Sequence, residues 1–92
     1  MITVPGILTR DANVARGLLA ITADVVLSTG ARTAVSEATR AGDVEAWRFR
    51  RVEDVESLLA LLEDYRRHGK LGDDTIHAVD RLIAKLTAAG TS

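Results

Sequence analysis

The chain has 92 residues, 47% hydrophobic and 27% charged, with a net charge of -1 and no cysteine. A length of this order supports one hydrophobic core and excludes a second domain, and the apolar content separates the chain from disordered sequences. The near-neutral balance excludes whole-domain attraction to nucleic acid or anionic lipid, and the missing cysteine removes disulfide staples, thiolate metal sites and cysteine nucleophiles together.

Small secreted domains lean on disulfides, so a cysteine-free chain is expected in a reducing, cytoplasmic compartment. The opening Met1 to Leu8 has no basic region, apolar run or cleavage site of a signal peptide. Leu18 to Leu27, broken by Thr22 and Asp24, is too short and too polar to span a bilayer. No membrane partner is expected.

Residues 1 to 10 read as an extended N-terminal arm, with strand-like Ile2, Val4, Ile7 and Leu8 and a punctuating Pro5-Gly6 pair, suited to a packed edge or a partner contact. From Asp11, taken as N-cap, the spacing of Val14, Leu18, Ile21 and Val25 predicts a helix over about 11–28, stopped by Gly30. The strongest periodicity, Val52, Val55, Leu59 and Leu62 flanked by Leu58 and Leu61, predicts a helix over 52–68. Its acids come first and Arg66, Arg67 and His68 last, as the helix dipole prefers. A last helix over about 74–88 is capped by Asp73 or Asp74 and carries Ile76, Val79, Ile83 and Leu86 on one face.

Residues 33–50 admit two readings. Asp43 can cap a helix that runs into the 52–68 helix as its N-terminal extension, because Phe49 continues the apolar stripe and no good cap precedes Val52. Alternatively, the alternation in Glu45-Ala46-Trp47-Arg48-Phe49-Arg50 makes a strand of a short β-hairpin whose first strand is Thr33 to Ala38 and whose turn holds Gly42. The fold class is therefore mainly α, with three to four helices, or α+β if the hairpin forms.

Candidates for chemistry all have structural explanations. Asp73, Asp74 and His77 share a helical turn, yet an N-cap pair beside an exposed histidine accounts for them, and no metal is expected. Glu53, Asp54 and Glu56 are first-turn acids that favour the helix dipole. Neither serine context nor the two histidines build a triad, and no glycine-rich phosphate loop exists, so no cofactor and no catalysis are expected. Asp24, within an apolar stretch, would need a partner if buried, and an inter-subunit salt bridge is the sharper reading. The arginines around the two neighbouring aromatics are the most distinctive feature: Trp47, Phe49, Arg48, Arg50 and Arg51 form the expected contact surface, against which stands simple pairing of Arg50 with Glu53 or Asp54.

The order of motifs is a helix, Ser28-Thr29-Gly30-Ala31-Arg32-Thr33-Ala34-Val35, a turn at Ala41-Gly42-Asp43, Trp47-Arg48-Phe49, then Val52-Glu53-Asp54-Val55 opening a Leu-rich helix. Over about residues 12 to 68 this resembles the gpW-like head-to-tail joining proteins of tailed phages. The arm and the last helix lie outside that pattern. The resemblance implies a short hairpin between two helices, ring-like self-assembly, a virion location and arginines facing a neighbouring subunit or the DNA channel. The function expected is thus a non-catalytic structural or assembly protein, an oligomeric joint or adaptor whose partners are itself and another protein. The alternatives are a helix-turn-helix-like DNA reader, whose nucleic-acid contact is not favoured, and an antitoxin or chaperone-type module.

Overall fold

A computed structural model describes residues 1–22 and 26–91. Its elements are β1 (Ile2–Leu8), α1 (Thr9–Ala20), α2 (Thr29–Ser36), β2 (Thr39–Ala41), β3 (Val44–Phe49), α3 (Val52–His68) and α4 (Asp73–Thr91). Among the described residues the fold is therefore α+β, with four helices around a three-stranded antiparallel sheet of order β1-β3-β2.

The sheet is built on β3. Its alternation turns Glu45, Trp47 and Phe49 inward and Val44 and Arg48 outward, as period-2 geometry requires. The arm is its long partner: Ile2 pairs with Phe49 and Val4 with Trp47, and the register then shifts by one residue so that Ile7 pairs with Glu45. The shift is a bulge at Pro5-Gly6, where Gly6 adopts φ 70°, a region closed to most side chains. It lets Val4 and Ile7, three apart, both face the core, at 2% and 0% exposure.

The hairpin forms, and the helical extension of α3 does not. Its turn is the two residues Gly42 and Asp43 between the paired Ala41 and Val44, with Gly42 at φ 63°. A positive φ at the first central residue alone matches the type II′ turn that suits the twist of paired strands. The expected first strand, Thr33 to Ala38, is corrected: residues 29–36 are α2, and the strand is only 39–41.

Helix one also ends early. α1 stops at Ala20 rather than near Ser28, because its last carbonyls are satisfied there from outside the helix ladder. The Ile21 and Thr22 N–H groups donate to Leu18 and Leu19, the Thr22 hydroxyl donates to Leu18 O, and the Arg32 guanidinium donates to Leu19 O and Thr22 O. Ile21, expected on the buried face, is 73% exposed. Gly30 does not stop a helix but lies in the first turn of α2, which Ser28 caps by accepting from the Ala31 N–H at 3.2 Å. Asp11, read as an N-cap, is instead a buried first-turn residue of α1.

α3 spans the expected residues and α4 begins at Asp73, continuing to Thr91. Their faces are rotated slightly from the sequence reading: Val55, Leu58, Leu61 and Leu62 of α3 share one core with Val79, Leu82 and Leu86 of α4, while Leu59, Ile76 and Ile83 are half-buried. Trp47 and Phe49 lie at the centre of one continuous core, both at 0% exposure, in an edge-to-face pair with ring centroids 6.5 Å apart.

Among the described residues three carboxylates are buried with the apolar core, and each is answered. Asp11 receives both Nε and Nη2 of Arg81 on α4, at 2.9 and 2.8 Å. Glu45 receives Nη1 and Nη2 of Arg16 on α1, at 3.0 and 2.8 Å, and Nη2 of Arg40 on β2 at 3.2 Å. Asp54 accepts the Ser28 hydroxyl at 2.9 Å. Bidentate pairing satisfies charges that burial would otherwise destabilise.

Replacing Trp47 by Ala should cost about 3–5 kcal/mol, the usual range for a large buried aromatic. Trp47→Phe should cost much less, because it keeps an aromatic ring in the core and the indole Nε1 has no hydrogen-bond partner among the described residues; denaturant melts of both variants check the order. The Arg16 hydrogen bonds hold the Glu45 carboxyl below its ordinary value of 4.5 and raise the Arg16 guanidinium. A depressed folded value means stability that is present above pH ~4.5 and lost as pH falls through the folded value. Glu45→Gln should therefore flatten the acid limb of a pH-stability curve measured by circular dichroism.

Candidate interaction surface

The outward side of β3 and the adjacent helix α2 frame a cleft of about 500 Å³. Arg48 lines it from the strand and Arg50 from just beyond it, Thr29 and Thr33 line it from α2 and Glu37 from the residue that follows that helix, with Met1 also on its wall. The strand's alternation explains the arginines, since residues two apart share a face and the intervening Trp47 and Phe49 fill the interior.

α2 is held in place by a polar joint with α3. The Ser28 N–H donates to Ser57 Oγ at 3.0 Å, and the Ser28 hydroxyl donates to Asp54 while accepting from Ala31. Asp54, in the first turn of α3, presses against Gly30 so closely that a Cβ there would overlap its carboxylate. Gly30 thus allows the two helices to meet, and in doing so sets the wall of the cleft.

The residues singled out from the sequence separate here. Trp47 and Phe49 are corrected from contact surface to core, because inward-facing positions of a strand covered by helices are withdrawn from solvent. Arg51 is exposed and its Nη2 lies 3.5 Å from Asp54 Oδ1, an i, i+3 pair within the chain. Arg48 and Arg50 are exposed and make no ion pair among the described residues, so the pairing of Arg50 with Glu53 or Asp54 is not formed. Asp24 lies outside the described residues.

A second polar cleft, of about 360 Å³, gathers Arg10, Asp11, Asp74, His77 and Arg81 between the starts of α1 and α4. Its buried carboxylate is already committed to Arg81, whose guanidinium is held further toward the charged form by that bond. Asp73, Asp74 and His77 do not converge as ligands: among the described residues no three histidine or acidic side chains group in a metal-binding arrangement.

Sequence reasoning missed the three buried carboxylates. Glu45 carried the best signal, for in a strand it shares the face of Trp47 and Phe49. Asp11 and Asp54 were indistinguishable from ordinary first-turn acids, and their arginine and serine partners lie 70 and 26 residues away.

Gly30→Ala should lower the melting temperature by forcing α2 away from Asp54, whereas Gly17→Ala should stabilise by roughly 0.5–1 kcal/mol, the helix-interior advantage of Ala over Gly. Nothing lies within 4 Å of a Cβ at Gly17; parallel thermal melts compare the two. Comparison with known proteins finds no family model, no curated protein and no solved structure that matches this chain.

Proposed function

We propose that the protein is a non-catalytic assembly module, a self-associating joint or adaptor that works by surface complementarity. The observation that carries this reading is the pair Arg48 and Arg50, exposed on a cleft wall and without an ion pair among the described residues. Two like charges two residues apart along the chain repel each other weakly, and an acidic surface docked against them offsets that repulsion.

The helix-hairpin-helix order that resembles the gpW-like joining proteins supports the same reading, and a head-to-tail joint in a virion is its most specific form. A cytoplasmic adaptor is the broader form. Among the described residues no helix is long and apolar enough to cross a membrane. The rival reading as a helix-turn-helix DNA reader loses support from Arg81, one of the two basic groups of α4, because Asp11 occupies its guanidinium.

The test is native mass in dilute buffer for the wild type and for Arg48→Ala/Arg50→Ala. The wild type should exceed the monomer mass and the variant should shift toward it, with helicity unchanged, since exposed substitutions of this kind alter stability by about 0.5 kcal/mol or less. A monomeric wild type, or assembly indifferent to both arginines, overturns the proposal.

A further inference from the structure

We infer that the occupant of the Arg48/Arg50 surface is the start of α3 in a second copy of this chain, docked in a two-fold, self-complementary contact. This rests on the self-associating reading above and names its partner.

The acidic half is as exposed and as unpaired as the basic half. Glu53 and Glu56 are exposed on the first turns of α3, and neither makes an ion pair among the described residues, although Arg50 and Arg51 are close in sequence. The spacings are compatible: Arg48 in β3 and Arg50 just beyond its end are no more than about 7 Å apart in chain reach, and helical residues three apart have Cβ atoms roughly 5–6 Å apart. Two carboxylates can therefore face two guanidinium groups in register.

The placement of the two halves selects the symmetry. Only Arg51 and Val52 separate Arg50 from Glu53, so these two groups are no more than about 11 Å apart in chain reach, with Glu56 one turn further along α3 at the edge of its groove with α4. A head-to-tail contact needs complementary patches on well-separated faces, whereas adjacent patches of opposite sign are self-complementary about a two-fold axis. On such an axis each copy sets its arginines against the other's glutamates. The apolar residues at the patch agree, for Val52 lies between the charged pairs at 36% exposure and Met1, on the cleft wall, is 83% exposed. Apolar groups surrounded by complementary charge are the ordinary anatomy of a polar-rimmed interface.

The experiment is charge reversal with mixing, read by sedimentation equilibrium. Arg48→Glu/Arg50→Glu and Glu53→Arg/Glu56→Arg should each weaken self-association on the order of a hundredfold, because like charges then meet across the axis. An equimolar mixture of the two should recover a dimer, and the wild-type dimer should weaken with added salt. Circular dichroism confirms that each variant is folded, and Arg48→Gln/Arg50→Gln replaces any that is not. If the arginine reversal weakens association but the glutamate reversal does not, or the mixture fails to recover the dimer, this contact is overturned while arginine-dependent self-association stands; if neither reversal weakens it, the contact and the reading on which it rests fall together. A wild type larger than a dimer whose reversals stop at the dimer also overturns it. A wild type that is monomeric throughout removes both the contact and the reading on which it rests.

Discussion

β3 is paired on both sides, to β1 and to β2, and the register of that pairing governs which half of its side chains meets water. A slip of one residue would exchange every inward position for an outward one. Arg48 would then enter the core, and Trp47 and Phe49 would leave it. The bulge at Pro5-Gly6 and the two-residue turn at Gly42-Asp43 hold the register from opposite sides, and the Thr9 N–H, donating to Asp43 O at 2.8 Å, ties that turn to the start of α1. The core aromatics and Arg48 are thus on two faces of one strand.

The buried carboxylates extend the same constraint to the helices. Glu45, on the inward face of β3, draws Arg16 of α1 and Arg40 of β2 to a single point; Asp11 joins α1 to α4, and Asp54 joins α3 to the start of α2. Each bond connects elements that hydrophobic packing alone would leave free to slide, since apolar contact is non-directional. Directional pairs of this kind favour one arrangement of short helices over its neighbours, which matters in a chain whose core depends on small aliphatic side chains and two large aromatics.

The polar joint at Ser28, Asp54 and Gly30 also shapes the surface. It sets α2 beside the outward face of β3, and the arginines of that face line the resulting cleft. The acidic start of α3 lies on the other side of the same joint. The cleft arginines and the start of α3 are therefore positioned by one set of contacts, and the proposed two-fold contact rests on that arrangement.

From the sequence by itself the two long helices were legible, with α3 at its observed bounds, because their apolar spacing is strong and local. The existence of a hairpin was legible as one of two readings, through the alternation around Trp47. The extent of α1 was not, since its end depends on Arg32 reaching back from α2, and neither was α2, whose short run of Thr, Gly, Ala and Arg carries little periodicity. Placing Trp47 and Phe49 on one contact surface with the neighbouring arginines overlooks that alternation in a covered strand sends the aromatics to the core. Local pattern, then, determined which segments are periodic and where charge is banded. Tertiary structure alone decided which face is buried and which carboxylate meets which arginine, because those outcomes turn on partners as far as 70 residues away that no local window contains.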